Sequence, residues 1–123
     1  MSTPSARDLE ARFQPLRPCD LEPEVLLRVR EHSKRLFGNQ DRLEVAVAAA
    51  RTALDSVNAT DLHREVDLAV NRIRAQLLAL EILGYLRKAG IKNGKRLFSR
   101  AEDNHRFWAF ALGEYGDCVA PDE

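Results

Sequence analysis

Residues 68–86 read LAVNRIRAQLLALEILGYL, and this stretch decides the fold of the 123-residue chain. Ile73, Leu77 and Leu80 recur at helical spacing, and Gly84 follows them. Because an apolar stripe of this period marks an amphipathic helix and glycine commonly ends one, the sequence predicts a helix over residues 69–83. The side chains expected on its outward face are Val70, Asn71, Arg72, Arg74, Ala75 and Gln76.

Downstream of this helix the sequence predicts a β-hairpin. Residues 85–88 read as a strand, and Asn93-Gly94 is the strongest short hairpin signal in the chain. Residues 95–100 return as the second strand, with Phe98 on the opposite face from Leu97. A last, aromatic-rich helix is expected over residues 104–115.

Upstream, a short helix is expected over residues 59–66. Asn58 is a good N-cap residue, and Asp61 stands three positions later, where its carboxylate can reach back in a variant of the capping box. Residues 67–68 then form the turn into the helix over 69–83.

Two further helices are expected before Asn58. The first covers residues 24–37, with Pro23 in its first turn and Gly38 at its end. Asn39 is the expected cap of the second, whose narrow apolar stripe consists of Leu43, Val47, Ala50 and Leu54.

The chain is long enough for one domain with a core of its own. We expect a flexible arm over residues 1–22, the domain over 23–116 and a short tail over 117–123. The N-terminus has no apolar h-region, and no apolar run approaches the ~20 residues that span a bilayer. With only two cysteines, Cys19 and Cys118, a cytoplasmic protein is expected, with no membrane partner.

Charge is strongly uneven along the chain. The formal net charge is zero, yet residues 70–100 hold eight basic residues and one acid, Glu81, so this window carries +7 and the rest −7. A basic window of this kind suits a polyanion-binding face. On charge alone, a merely solvated basic surface explains the window equally well.

The order of helix, short helix, turn, longer helix and Asn-Gly hairpin is that of a winged helix-turn-helix. Over about residues 36–112 the chain resembles the small bacterial regulators of the ArsR and MarR type. Their Leu-x-x-Leu-Glu-x-x-Gly-hydrophobic segment is matched here by Leu77, Leu80, Glu81, Gly84 and Tyr85. The resemblance implies a mainly α fold with a β-hairpin wing, extra N- and C-terminal helices and double-stranded DNA as partner. The cysteine and histidine pairs of the metal-sensing members are absent, so metal sensing is not implied.

A helix of this size fits the major groove, where Arg, Asn and Gln can pair with bases. The six outward side chains of the helix over 69–83 are therefore the candidate base-reading set. The candidate backbone contacts of the wing are Lys92, Asn93, Lys95, Arg96 and Arg100, which suit phosphates or the minor groove. The alternatives are solvent-facing polar residues on the helix and lysines that protect an edge strand on the hairpin.

The last helix suggests a homodimer interface, because aromatic residues are enriched at such surfaces. Its candidate residues are Phe107, Trp108, Phe110 and Ala111. The alternative is that this helix closes the monomer's core. Leu78 and Ile82 continue an apolar strip off the DNA-reading face, which favours the rival function, a winged-helix module for protein–protein interaction or assembly.

No arrangement of residues points to catalysis. The sequence offers no Ser-His-Asp, Cys-His or paired-carboxylate pattern, and no glycine-rich phosphate loop. Its three histidines match no metal-ligand spacing. We therefore expect a non-enzymatic regulator of transcription without a metal or cofactor, and the sequence does not identify an effector.

Overall fold

A computed structural model describes residues 17–120 of the chain. The prediction of a mainly helical protein with one antiparallel β-hairpin is confirmed. Its elements are α1 (Pro23–Phe37), α2 (Arg42–Arg51), α3 (Ala59–Leu62), α4 (Val70–Ile82), β1 (Leu86–Lys92), β2 (Lys95–Arg100) and α5 (His105–Val119). Among these elements no helix is long and apolar enough to cross a membrane.

Helix α2 lies at the centre and packs against α1, α3, α4 and α5. Seven consecutive residues, 43–49, are buried on it, so the narrow stripe expected from the sequence is corrected. Leu54 of that stripe lies beyond the helix and is 55% exposed. The three alanines at 46, 48 and 49 explain the difference, because small side chains let neighbouring helices approach α2 from several sides.

The helix boundaries follow from local hydrogen bonds. The capping box is confirmed: Asp61 N donates to Asn58 Oδ1 at 2.8 Å, and Asn58 N donates to Asp61 Oδ2 at 3.1 Å. Helix α3 is shorter than expected, although Val66 beyond it is still buried. The expected cap of α2 is corrected, since Asp41 is its N-cap residue and Asn39 Oδ1 instead accepts from Asp41 N at 2.9 Å.

Helix α4 buries the predicted stripe completely, with Ile73, Leu77 and Leu80 all 0% exposed. Gly84 ends the segment at φ 87°, a conformation that side chains disfavour. Asn104, just before α5, donates from Nδ2 to Gly84 O at 2.7 Å. The end of α4 is thereby tied to the start of α5.

The hairpin turns at Asn93-Gly94 as predicted. Both residues have positive φ, 53° and 74°, which is the geometry of the tight turn that suits twisted strands. A bulge between Lys88 and Gly90 leaves Ala89 without a partner on β2. Val57 pairs with Phe98 through two 2.8 Å backbone hydrogen bonds, so the segment before α3 is fixed against the hairpin.

Helix α5 extends four residues beyond its predicted end and closes the core. Trp108 and Ala111 are 6% and 0% exposed, and Tyr115 is buried beside them. The dimer-interface prediction is corrected for Trp108 and Ala111, because both are enclosed within one chain. Phe107 is half-buried and stacks on Tyr85 with ring centroids 3.8 Å apart.

A charged pair is enclosed between α1 and α2. Arg30 Nε donates to Glu44 Oε1 at 2.8 Å, and the Glu44 side chain is 0% exposed. Burial raises the pKa of Glu44, and the hydrogen bond from Arg30 acts in the opposite direction. Arg30 Nη2 also donates to Asp67 O at 2.9 Å, so this arginine joins α1, α2 and the turn before α4.

The segment before α1 docks on the loop between α3 and α4. A 3-10 turn spans Pro18–Asp20, with Pro18 buried, and Cys19 N donates to Glu65 O at 3.0 Å. The last residues of the expected arm are therefore part of the folded domain. The arm's residues 1–16, including Leu9, Phe13 and Leu16, and the tail's residues 121–123 lie outside the described residues.

Candidate nucleic-acid interface

The outward face of α4 presents fewer polar side chains than the sequence suggests. Asn71, Arg74 and Ala75 are exposed, and Val70 is half-buried. Gln76 is only 5% exposed and accepts a 3.2 Å hydrogen bond from Arg42 Nε on α2. The assignment of Gln76 to the base-reading set is corrected, because α2 covers this side chain.

Arg72 is committed to a contact within the chain. Its Nε and Nη2 donate to the two carboxylate oxygens of Asp41, at 2.9 Å and 2.5 Å. The Asp41 side chain is 9% exposed and that of Arg72 46%. These hydrogen bonds raise the pKa of the Arg72 guanidinium and join the first turn of α4 to the start of α2. Arg72 thus has a structural role in this contact, and its base-reading role stays a prediction.

Within the 70–100 window, the hairpin carries most of the exposed positive charge. Lys92, Lys95 and Arg96 surround the turn and are exposed, as is Asn93. Lys95 Nζ donates to Thr60 Oγ1 at 2.8 Å, so this cation is held on the side of the hairpin that faces α3.

Arg100, at the end of β2, is hydrogen-bonded to the last turn of α2. Its Nη1 donates to the carbonyl oxygens of Ala49 and Ala50 at 2.7 and 2.9 Å. The last carbonyls of a helix have no partner within the helix, and basic side chains commonly satisfy them. Arg100 therefore caps α2, and its role as a DNA backbone contact stays a prediction.

The remaining bases of the +7 window divide into two groups. Arg87 pairs with Asp103 at 3.0 Å, and Lys88 lies 3.6 Å from Glu81. Within residues 17–120 no carboxylate lies within 4.0 Å of the nitrogens of the other four. We call these four cations on α4 and the hairpin the basic face: Arg74, Lys92, Lys95 and Arg96.

A cleft of about 390 Å³ separates α4 from the hairpin. Arg74, Lys95 and Arg96 line it, together with apolar side chains that include Leu78, Ile91 and Phe98. Ile91 is 75% exposed. Sequence reasoning missed this residue, although an isoleucine between basic residues of a hairpin signals an apolar group held at a charged surface.

Apolar side chains remain exposed at other places. Ile82 and Leu83, at the end of α4, are 81% and 53% exposed, whereas Leu78 packs partly against the core. Phe110 on α5 is 43% exposed, and it is the most exposed of the four predicted interface residues.

The described residues were also inspected for metal ligands and reactive thiols. Across residues 17–120 no group of three or more His, Cys, Asp or Glu side chains converges to hold a metal ion. Cys19 and Cys118 are free thiols, and burial raises the pKa of each. Searches for similar proteins found no matching family model, no matching curated protein and no matching solved structure.

Proposed function

We propose that this protein is a winged helix-turn-helix regulator that binds double-stranded DNA in the cytoplasm as a homodimer. The order of elements supports it: α3 and α4 stand as the helix-turn-helix, and the hairpin stands as the wing. The observation that carries the proposal is the basic face. Four cations with no carboxylate partner among residues 17–120 lie on the two elements that a duplex would meet, which is the electrostatic footprint of phosphate binding.

In this proposal α4 enters the major groove and the wing contacts the flanking backbone. Asn71 and Ala75 stand one helical turn apart on the exposed side of α4. Asparagine can pair with adenine through two hydrogen bonds, and an alanine methyl can contact a thymine methyl. These two residues are the best supported of the six base-reading candidates.

A homodimer would let two copies of α4 read a palindrome with half-sites ~34 Å apart, about one turn of DNA. The proposed interface uses the outward sides of α1 and α5. Leu36, Phe110 and Leu112 are 37%, 43% and 37% exposed there, which leaves apolar area for a second copy. Of the four interface residues predicted from the sequence, Phe110 is the one that this proposal places in the dimer contact.

The proposal is tested by selecting bound duplexes from a random pool and comparing variants on the selected site. Asn71→Ala should weaken binding to the selected duplex by about 5- to 100-fold and leave binding to random duplexes nearly unchanged. A pool that yields no preferred sequence, together with equal losses on both kinds of DNA, would refute sequence-specific reading.

Ile82 and Leu83 favour a second candidate function, a protein-interaction module. Their exposure at the end of α4 gives a partner protein an apolar contact that DNA phosphates do not need. The two functions are separated by binding to duplexes at micromolar concentration. A wild-type chain that binds no duplex under low salt favours the module, whereas salt-sensitive binding favours the regulator.

A further inference from the structure

The cleft between α4 and the hairpin combines two kinds of lining. Arg74 stands on the helix side and Arg96 on the hairpin side, and Lys95 is held toward Thr60 by its 2.8 Å hydrogen bond. Apart from the cations and the polar residues Asn58 and Thr60, the lining is mostly apolar, and Ile91 is the most exposed of its apolar side chains. From the described part of the chain, residues 17–120, no carboxylate lines the cleft.

The register of the hairpin explains why Ile91 belongs to this cleft. Ile91 pairs with Arg96 across the strands, and cross-strand partners project to the same face of a sheet. Phe98, two residues beyond Arg96, is buried on that face against the core. Ile91 and Arg96 thus continue the inward face of the hairpin past the end of the core, into the cleft.

A sugar–phosphate strand has the chemistry that matches this lining. Its phosphates are anions at regular spacing, and the deoxyribose rings between them present carbon atoms. Cations at the two sides of the cleft suit the phosphates, and an exposed isoleucine suits the ring between them. A base edge would need hydrogen-bonding groups that are free to pair with it, whereas Asn58 and Thr60 in the lining already accept hydrogen bonds from Asp61 N and Lys95 Nζ.

We propose that this cleft seats the sugar–phosphate backbone of one DNA strand, with Arg74 on a phosphate and Ile91 against a deoxyribose. The inference rests on the proposed function and changes one part of it. Arg74 becomes a positioning contact that carries no base preference, so Asn71 and Ala75 are left to read bases. Ile91 becomes a contact whose contribution does not depend on salt.

The experiment replaces single phosphates of the selected duplex by neutral methylphosphonates, one position at a time. Wild-type affinity should fall about 3- to 10-fold at one or two adjacent positions per half-site. The affinity of Arg74→Ala should fall less than twofold when the same phosphates are replaced, because this variant already lacks the phosphate contact. The substitution should also weaken binding to selected and random duplexes equally and lower the salt slope by about 1 per protomer.

Ile91→Ala tests the apolar half of the cleft. Each methylene removed from water contributes about fourfold in affinity, so the variant should bind about 4- to 15-fold more weakly with an unchanged salt slope. Leu54→Ala is the matched control, since Leu54 is a 55% exposed aliphatic residue between α2 and α3, outside both the cleft and the proposed dimer interface. Circular dichroism should show both variants folded.

Three results would overturn the inference alone. The first two are full methylphosphonate sensitivity in Arg74→Ala at every position and wild-type affinity in Ile91→Ala. A loss in Arg74→Ala that is confined to the selected site would also overturn it, because that result identifies a base contact. Wild-type protein that binds no duplex would overturn the proposed function and this inference together.

Discussion

Removing Arg72 should loosen the fold rather than erase a single base contact. Its guanidinium donates two hydrogen bonds to Asp41, whose side chain is 9% exposed. Arg72→Ala leaves that carboxylate nearly buried without its cation. Since α4 is held at its first turn by this pair, the expected result is a less stable protein with a less fixed α4.

The magnitude follows from burial and geometry. A hydrogen bond to a charged group contributes about 1.5–3 kcal/mol, and the 46% exposure of Arg72 reduces this through solvent screening. We expect Arg72→Ala to lower the free energy of unfolding by about 1–2 kcal/mol. A double-mutant cycle with Asp41→Ala should give a coupling energy of about 1 kcal/mol.

The chain supplies a matched control in Arg87 and Asp103, a second arginine–aspartate pair. Their side chains are 63% and 70% exposed, with one hydrogen bond of 3.0 Å. The coupling energy of this exposed pair should stay below about 0.5 kcal/mol. Urea unfolding followed by circular dichroism measures both cycles.

Equal coupling energies in the two cycles would refute the structural role of Arg72. So would an Arg72→Ala protein of wild-type stability that loses affinity for the selected duplex alone. The structural role requires a loss of the same size on selected and random DNA.

Three further predictions concern residues whose role the structure revises or adds. Arg100→Ala should lower the free energy of unfolding by about 1–2 kcal/mol, because two α2 carbonyls lose their hydrogen-bond donor. The salt slope of DNA binding should stay unchanged. A shallower slope would show that Arg100 contacts DNA phosphates. Burial raises the pKa of Glu44 above its ordinary 4.5, so the folded state disfavours the ionised carboxylate. The contribution of Glu44 to the free energy of unfolding therefore declines as the pH rises from about 4.5 through the raised pKa. Urea unfolding of Glu44→Gln should lack that decline, and identical pH profiles would contradict it. Phe110→Ser should sediment as a monomer with an unchanged circular dichroism spectrum. Phe107→Ser should instead unfold more easily, because Tyr85 loses its stacking partner. A Phe110→Ser protein that sediments like wild type would exclude Phe110 from an interface.

The elements could be predicted where the signals are local. Asn58 with Asp61 and Asn93 with Gly94 act within four residues, so their capping box and turn follow from spacing alone. The stripe over Ile73, Leu77 and Leu80 was equally readable, since a helix with one buried face shows its period in the sequence.

The site was less readable because its residues meet partners far along the chain. Arg72 meets Asp41 at a separation of 31 residues, and Arg100 meets Ala49 at a separation of 51. A sequence shows these arginines as bases on an outward strand or helix face and gives no sign of their partners. Helix α4 is covered on a second side by α2, which removes Gln76 from the surface for the same reason.

The role of the aromatic helix does not follow from its composition. Aromatic residues are enriched at dimer interfaces, yet Trp108 and Ala111 are buried within one chain. The side chains of α2 are mostly alanines and valines, which are too small to fill the core beside this helix. Trp108 and Tyr115 of α5 fill that space. Periodicity identifies the inward side of such a helix but not whether the covering surface belongs to the same chain.

The salt dependence of duplex binding tests the central claim, that the basic face binds double-stranded DNA. Wild type is compared with the triple variant Lys92→Ala, Lys95→Ala and Arg96→Ala, and with a control that removes the exposed Arg17 and Arg64, which lie outside the basic face and the proposed dimer interface. The slope of log affinity against log salt should be about 2–3 units per protomer shallower in the triple variant and nearly unchanged in the control. Equal slopes in all three proteins, or a wild-type affinity that does not respond to salt, would contradict the account.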